Sequence, residues 1–258
     1  MAEATAGADA SGTRKDLPLV SIITACYNAA GSLEAAIRSV RAQTYPNIEH
    51  IVIDGGSSDG TAEIIRRHAD GLAYWVSERD KGIADAWNKG LSKASGRIIG
   101  TLNADDVYDP QAVASAVAAL ERGGRCVVYG TTRYFDKDPS RTVAVGDLLF
   151  DPSVLEFGFG FMHTTCFVPK AVYDEVGGFD TRYRIAIDTD FLLRCHYRGI
   201  PFQKSGVVTH MRTGGLSQRR RTQAYLEYLG QLHRLGYPRI KLAKAVLIHY
   251  KDRLLGRH

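Results

Sequence analysis

Short runs of apolar, often β-branched residues alternate with segments of helical periodicity in the first half of this chain. The apolar runs predict strands over 19–24, 48–53, 72–76, 97–102 and 126–129. Helical segments are predicted between them, over 32–43, over 61–68, around 83–91 and from Pro110 onward. Strands that alternate with helices in this way predict an α/β fold, with a mostly parallel central sheet flanked by helices.

The pattern changes beyond residue 130. Residues 131–168 have a β-rich and loop-rich composition, and a short helix over 187–198 and a strand over 202–208 follow them. No internal repeat and no linker rich in Pro, Gly and Ser divides the sequence. We therefore predict one domain over 17–215, followed by a helical C-terminal extension over 216–258.

Composition restricts the class of protein. The net charge of +5 and the pI of about 9.0 allow nucleotide phosphates, nucleic acids or anionic membranes as partners and select none of them. The four widely separated cysteines predict reduced thiols in a cytoplasmic protein. Residues 1–16 contain no apolar run and are predicted to be a disordered tail, not a signal peptide. No apolar stretch approaches the roughly 20 residues of a membrane-spanning helix.

Polar residues follow three predicted strands, at the edge where ligands bind in open α/β sheets. These are Thr24 to Asn28 (TACYN), Asp54, and the pair Asp105-Asp106. The small residues after Asp54 would let a ligand approach the backbone closely. On the residues alone, Asp54 either accepts hydrogen bonds from a nucleoside or stabilises a turn. Its coincidence with the other two clusters favours the first interpretation.

Asp105 and Asp106 are adjacent carboxylates after an apolar strand. Two such groups repel each other unless a cation lies nearby. Oxygen ligands suit Mg²⁺ or Mn²⁺, which also bind substrate phosphates. The alternative is a loop in which both carboxylates are solvated, but the buried strand before them favours a metal site.

Five segments connect these observations to a known family. They are SIITACYN, IVIDGGSSDGT, DKGIADAWNKG, RIIGTLNADDVYDP and GGFDTRYRIAIDTDFLLR. In order and spacing they resemble family 2 glycosyltransferases over roughly residues 18–217. The resemblance implies a GT-A fold, in which a Rossmann-like nucleotide-binding half (about 17–110) joins an acceptor-binding half (about 111–215). It also implies inverting transfer of a sugar from a nucleotide-activated donor.

The resemblance also implies roles for single residues. Tyr27 matches the aromatic residue that packs on the base, and Asp54 matches the first acid of a common Asp-Asp pair. The second acid of that pair is Gly55 here. Asp105 and Asp106 match the acidic motif that binds ribose and the metal diphosphate, with Asn103 in place of the usual leading Asp. Asp188 matches the catalytic base.

Further candidates lie near these motifs. Thr24 is expected on the nucleotide side, and Asp80 resembles the segment that lies against the donor sugar and phosphates. His163 and His210 are candidate contacts to acceptor, diphosphate or metal, although a structural hydrogen bond is the favoured interpretation for each. Asp190 is expected to pair with Arg194, its i+4 neighbour.

The C-terminal extension is strongly basic. Its acidic residues after Arg212 are only Glu227 and Asp252. Ala243, Leu247, Tyr250 and Leu254 have helical spacing, which predicts an amphipathic helix with a cationic side. Three interpretations remain open: binding to an anionic membrane, packing on the catalytic domain, and formation of a homodimer.

These features together predict a metal-dependent glycosyltransferase that uses Mg²⁺ or Mn²⁺. The expected donor is a UDP-sugar, and the expected acceptor is a saccharide or lipid-linked saccharide in surface polysaccharide assembly. The expected location is cytoplasmic, at the inner face of the membrane. The alternatives are a sugar-nucleotide-binding protein with weakened activity, a nucleotidyltransferase, and a nucleic-acid-binding module, for which no familiar motif is present.

Overall fold

A single sheet organises residues 17–254, which the computed structural model describes; the predicted tail over 1–16 lies outside this range. The strands are β1 (Val20–Cys26), β2 (Ile48–Asp54), β3 (Tyr74–Ser77), β4 (Ile98–Asn103), β5 (Val107–Tyr108), β6 (Val127–Phe135), β7 (Ala144–Gly146), β8 (Phe167–Pro169) and β9 (Phe202–Arg212). Their order across the sheet is β3-β2-β1-β4-β8-β6-β9-β5, and β7 pairs with β6. Strands β1 to β4, β6 and β9 run in one direction, whereas β5, β7 and β8 run in the opposite direction.

Helices cover both faces of the sheet. They are α1 (Leu33–Arg41), α2 (Thr61–Arg67), α3 (Ile83–Lys93), α4 (Ala112–Gly123), α5 (Lys170–Val176), α6 (Ile187–Tyr197), α7 (Leu216–Arg219), α8 (Arg221–Arg234) and α9 (Arg239–Leu254). Short 3₁₀ helices are Ala69–Gly71, Pro152–Phe157 and His163–Thr165. Helices α3, α5, α6, α8 and α9 share one apolar cluster, and α1, α2 and α4 contribute to the clusters on the other face.

Strand β1 lies at the centre of this architecture. All seven of its residues are buried. Ile23 points to the α3 side and Ile22 to the α4 side, because successive strand side chains alternate between faces. The parallel register aligns Cys26 with Asp54 of β2, and Ala25 with Asn103 of β4. The carboxyl ends of three strands therefore meet at one edge.

The described structure confirms the predicted fold class. The strands and helices predicted before residue 130 are found, with ends that differ by a few residues. The loop-rich region over 131–168 contains the end of β6, strand β7, two 3₁₀ helices and the start of β8. All four cysteines are buried and unpaired. Within 17–254, no helix has the length and apolar character needed to cross a bilayer.

The C-terminal helix differs from the predicted pattern. The expected stripe that includes Ala243, Leu247 and Tyr250 faces outward, whereas Leu242 and Ala245 are buried in the core cluster. The sequence pattern found one apolar side of α9 and missed the second, which attaches the helix to the domain.

A glycine in β6 generates a prediction about stability. A Cβ atom at Gly130 would lie 2.1 Å from the Val207 carbonyl oxygen of β9, at the irregularity where the register shifts. Gly130→Ala should therefore lower the free energy of unfolding by about 1–3 kcal/mol, because the backbone of β9 must move. Gly230, inside α8, has no atom within 4 Å of its added Cβ. Gly230→Ala should instead raise stability by about 1 kcal/mol. Urea unfolding of both variants tests the pair, and equal effects would contradict the described packing.

Candidate active site

A cleft of about 890 Å³ opens at the carboxyl edge of β1, β2 and β4. The predicted site residues that line it are Tyr27, Asp80, Asn103, Asp105, Asp106, His163 and Asp188. Its walls come from the loops after β1, β2, β3 and β4, the start of α6, the end of β9, and α8. The fold thus brings seven candidates from distant parts of the sequence into one cavity.

Three predicted residues do not line the cleft. Thr24 is fully buried, and its hydroxyl lies 3.0 Å from His50 Nε2. Burial lowers the pKa of His50 to about 3, so this buried pair is neutral. His210 faces Asp109, with 3.9 Å between Nε2 and Oδ2. Thr24 and His210 therefore have structural surroundings in place of the predicted ligand contacts.

Asp54 is also fully buried, beneath the cleft. Its Oδ2 atom accepts hydrogen bonds from the Ser57 backbone N–H at 3.1 Å and from the Ser77 hydroxyl at 2.6 Å. The Ser57 hydroxyl donates to its Oδ1 atom. The carboxylate shapes the loop after β2, which corrects the expectation of a direct contact with the nucleoside.

The loop after β1 is braced by the loop after β2. The Asn28 backbone N–H donates to the Ser57 hydroxyl at 2.8 Å, and the Ser58 N–H donates to the Asn28 side-chain oxygen at 3.0 Å. Asn28 has a φ of 48°, a left-handed conformation that Asn tolerates better than most residues. Tyr27 on this braced loop is 66% exposed and presents its ring to the cleft. The serines that were expected to leave room for a ligand instead hold this loop.

Asp80 lies directly over Gly55. Its Oδ1 atom accepts the Gly82 N–H at 2.8 Å, and a Cβ atom at Gly55 would lie 2.6 Å from its Oδ2 atom. Gly55 is itself bonded to the end of β1, because its N–H donates to the Cys26 carbonyl at 2.9 Å. The Asp80 carboxylate therefore occupies the space that a side chain at position 55 would fill.

The adjacent acids Asp105 and Asp106 differ sharply in environment. Asp106 is 1% exposed, and its carboxylate accepts hydrogen bonds from the Arg212 backbone N–H at 3.0 Å and the Asn103 amide at 2.9 Å. Burial, and secondarily the charge of Asp105, raises the pKa of Asp106 to about 7. Asp105 is half-buried and accepts no hydrogen bond from the part of the chain that the structure describes.

This arrangement sets limits on a bound divalent cation. Among the described residues, no group of three or more His, Cys, Asp and Glu side chains is placed to hold a metal ion. Mg²⁺ and Mn²⁺ sites that also bind phosphate need only one or two protein carboxylates. The Asp105 carboxylate fits that kind of site, and Asp106, which also lines the cleft, would be the second oxygen ligand.

Asp188 lies in the first turn of α6 and forms an ion pair with His163. Its Oδ2 atom is 2.9 Å from His163 Nδ1, and the imidazole packs on Trp87 with 5.2 Å between ring centroids. Burial alone would raise the pKa of Asp188 and lower that of His163. The attraction between the two charges outweighs burial, so the pKa of Asp188 is lowered and that of His163 is raised. Asp188 is therefore held ionised.

Asp190, two residues later, points away from this pair. It bonds to Arg194, with 2.8 Å between its Oδ2 atom and the Arg194 Nε atom. The same guanidinium donates to the carbonyls of Val176 and Gly178. The predicted separation of the two acids is confirmed, with Asp188 in the cleft and Asp190 in a structural network.

Helix α8 supports the start of α6, which the sequence did not predict. The Glu227 Oε2 atom accepts the backbone N–H groups of residues 184–186, at 3.0 to 3.3 Å. Gln231 donates to the Ala186 carbonyl at 2.6 Å and lies 3.0 Å from the Thr189 hydroxyl. The only available signal was an isolated Glu in a basic segment. These bonds fix the turn that carries Asp188.

Three arginines in the cleft were also missed. Arg79, Arg184 and Arg212 line it, and none forms an ion pair with a carboxylate within the described range. The Arg212 guanidinium lies over the Phe135 ring, 5.3 Å from its centroid. Guanidinium groups recognise phosphate oxygens well. The cleft thus contains guanidinium groups that can bind an anionic ligand. It also contains carboxylates that can bind a cation or accept a proton.

Comparison with known protein families agrees with this geometry. The profile described as "Glycosyl transferase family 2" matches residues 21–221. A relative from Mycobacterium tuberculosis H37Rv, named "Uncharacterized glycosyltransferase Rv1514c", is 35% identical over 232 residues and is matched over 86% of each chain. A second relative from the same organism, "PGL/p-HBAD biosynthesis glycosyltransferase Rv2957", is 30% identical over 227 residues, covering 85% of this chain and 87% of the relative.

Solved structures share the fold. Residues 1–349 of S. aureus TarS, in complex with UDP-GlcNAc, match with a TM-score of 0.66 and 14% identity, over 90% of this chain and 73% of that one. The mannosyltransferase PcManGT from Pyrobaculum calidifontis, in complex with GDP-Man and Mn²⁺, matches with a TM-score of 0.65 and 21% identity, over 95% and 78%. At these identities the similarity establishes the architecture alone.

The raised pKa of Asp106 gives a prediction about stability and pH. The folded protein holds this proton up to about pH 7, whereas the unfolded chain loses it near 3.8. The contribution of Asp106 to the free energy of unfolding therefore falls as pH rises from about 4 to about 7. Above that window the destabilisation caused by the ionised, buried carboxylate has reached its full size. Asp106→Asn should become more stable relative to wild type across this range, by on the order of a few kcal/mol.

Thermal unfolding from pH 5 to pH 8 without divalent cations measures this difference. Asp105→Asn is the matched control, because it removes the neighbouring charge that raises the pKa of Asp106. The stability of Asp105→Asn relative to wild type should therefore change less with pH than that of Asp106→Asn. A difference between Asp106→Asn and wild type that does not vary with pH would contradict the assignment.

Proposed function

This chain belongs to glycosyltransferase family 2, and we propose that it is an inverting enzyme that moves a sugar from a UDP-sugar to a hydroxyl of a lipid-linked saccharide. The observation that carries the proposal is the common cleft of Tyr27, Asp105 and Asp188. It joins an exposed aromatic ring, an available carboxylate and an ionised candidate base. A sugar diphosphate and an acceptor alcohol require these groups in one cavity.

An aromatic ring, arginine side chains and carboxylates would together bind the donor. The Tyr27 ring offers a surface on which a base stacks, since aromatic rings prefer offset stacking with other flat rings. Arg79, Arg184 and Arg212 supply cations for the diphosphate. Asp105 and Asp106 would hold Mg²⁺ or Mn²⁺, which when bound stabilises the negative charge of the leaving diphosphate. That PcManGT was solved with GDP-Man and Mn²⁺ supports this assignment.

Asp188 supplies the base for transfer. The acceptor hydroxyl gives its proton to the Asp188 carboxylate and forms a new bond to the anomeric carbon from the side opposite the diphosphate. The carbon–oxygen bond to the diphosphate breaks, and its electron pair leaves with the phosphate oxygen. His163, 2.9 Å away, lowers the pKa of Asp188 and so favours its ionised form before the reaction, and Glu227 holds the turn of Asp188 in place. Displacement from the opposite side inverts the anomeric configuration.

The departures from the family motif do not favour the alternative of a weakened binding protein. The Asn103 amide donates to Asp106, a bond that a carboxylate at 103 would not form with an ionised partner. The space above Gly55 contains the Asp80 carboxylate. Both positions therefore have a local compensation, which favours an active enzyme.

The test begins with the donor. Thermal unfolding with UDP-, GDP- and dTDP-sugars, with and without Mn²⁺, should show a rise in melting temperature for the true donor, since a ligand of the folded state stabilises it by mass action. Asp188→Asn should keep this rise and lose transfer by at least about a thousandfold, because the base is removed while the donor contacts remain.

Asp190→Asn is the matched control. It alters an acid of the same helical turn that bonds to Arg194, so it should lower the melting temperature while retaining transfer. Equal activity in Asp188→Asn and wild type would remove Asp188 from the mechanism. Failure of every nucleotide sugar to shift the melting temperature would refute donor binding itself.

The position of Asp80 also bears on the nucleobase of the donor. Parallel pairing places the residues after β1 and β2 side by side, so the Asp80 carboxylate over Gly55 lies near Tyr27. Its Oδ2 atom accepts no hydrogen bond from the described residues. A carboxylate here accepts an imino N–H, which uracil and guanine carry and cytosine and adenine lack. We assign Asp80 as a residue that selects the nucleobase of the donor.

An exchange of side chains tests this assignment. Gly55→Asp alone should weaken donor binding, because its Cβ would lie 2.6 Å from the Asp80 Oδ2 atom, so that the Asp80 carboxylate must move and two carboxylates would meet. Asp80→Ala alone should weaken binding by about tenfold or more, as expected for loss of a hydrogen bond to a charged group. The double variant should recover much of the affinity, because the carboxylate is restored from the other strand. Calorimetric titration with UDP measures all four proteins, and a double variant no better than Gly55→Asp would reject the role.

A further inference from the structure

Helix α9 has apolar residues on two opposite faces. On the inner face, Leu242 and Ala245 are buried in the core cluster. On the outer face, Ile240 and Leu247, two turns apart, are 80% and 71% exposed. Because the inner face attaches the helix to the domain, packing within the described residues does not account for the outer apolar side chains.

Basic residues share the outer face. Lys244 and Lys251 each follow an exposed apolar residue by four positions, so they lie on the same side of the helix as Ile240 and Leu247. Both lysines are exposed, as are Arg239 and Tyr250. Exposed apolar and cationic side chains on one helical face, with the opposite face fixed to protein, are typical of a helix that lies in a membrane interface.

A neighbouring segment adds further exposed apolar groups. The 3₁₀ helix Pro152–Phe157 packs against α9, and Lys241 Nζ donates to the Ser153 carbonyl at 2.8 Å. Val154 and Phe157 of this segment are exposed, and so are Leu148 and Leu149 before it. Because this 3₁₀ helix contacts α9, Val154 and Phe157 add exposed apolar side chains next to the C-terminal helix.

We propose that the outer face of α9, with the adjoining segment, binds the surface of an anionic lipid bilayer. Charge decides between this occupant and a second copy of the chain. A two-fold symmetric contact through this face would bring Lys244 and Lys251 of both copies close together, and like charges repel. Anionic headgroups instead attract these cations while Ile240 and Leu247 enter the apolar layer.

The purpose of this contact rests on the proposed function. Helix α8 packs on α9 and lines the cleft through Ala224 and Tyr228. A bilayer against α9 would therefore lie close to the wall of the cleft formed by α8. A lipid-linked acceptor in that bilayer could present its hydroxyl to Asp188 without leaving the membrane.

Vesicle sedimentation of the full chain tests the proposal. Wild type should sediment with vesicles of phosphatidylcholine and phosphatidylglycerol, and much less with phosphatidylcholine alone; added salt should weaken binding. Ile240→Asp/Leu247→Asp should bind at least tenfold more weakly. Lys244→Gln/Lys251→Gln should lose the preference for the anionic vesicles.

Ala35→Asp/Gln111→Asp is the matched control. It makes the same change in net charge at exposed positions of α1 and the start of α4, on the other face of the sheet, and should bind as wild type does. The melting temperature and its rise with donor should be unchanged in every variant, which separates this test from that of the donor site. Truncation is unsuitable, because α8 carries Glu227.

Three results would overturn the proposal. The first is wild-type protein that does not bind anionic vesicles, and the second is an Ile240→Asp/Leu247→Asp variant that binds them as well as the control does. The third is a wild-type dimer, measured by analytical ultracentrifugation, that the same variant converts to a monomer without any loss of vesicle binding. That outcome would make the face a subunit interface.

Discussion

The parallel register of β1 with β2 and β4 is the constraint from which the site follows. Residues that end these strands, Cys26, Asp54 and Asn103, are fixed at one edge by backbone pairing. Whatever follows each strand must therefore share a cavity. Because β1 is fully buried, its register cannot slip without moving every side chain to the other face of the sheet. The positions of Tyr27 and Asp105 are thus consequences of core packing.

The pKa values of the carboxylates at this edge of the sheet depend on which carboxylates are buried without an ion pair and which are paired. Asp106 is buried and forms no ion pair within residues 17–254, so its pKa rises, whereas Asp188 is paired with His163 and its pKa falls. Similar side chains in one cleft therefore differ in protonation. Asp188 is held ionised, as the proposed role of base requires, whereas Asp106 keeps its proton to higher pH. A bound cation would shift this balance, since it favours the ionised form of both acids.

The strands and part of the site were predictable from the sequence, because hydrophobic periodicity and short motifs can be read from neighbouring residues. The alternation of apolar runs located the strands, and the position of Asp105-Asp106 after one of them located an acid pair at the functional edge. The misplacements share a cause. Thr24, Asp54 and His210 are polar residues at or near strand ends, and sequence does not show whether such a side chain turns into the cleft or under it. The buried hydrogen bonds of Thr24 and Asp54 depend on residues distant in sequence, His50 and Ser77.

The contribution of α8 was beyond sequence reasoning for a related reason. Glu227 lies more than 40 residues from the turn that it holds, and nothing in its local pattern separates it from an exposed helical acid. Three backbone N–H groups before α6 would otherwise lack partners, and a helix start with unsatisfied donors is costly. Helix α8 is therefore part of the structure that forms and supports the cleft. Because α8 and the inner face of α9 already anchor this segment, the apolar outer face of α9 is not needed for packing and is free for the proposed membrane contact.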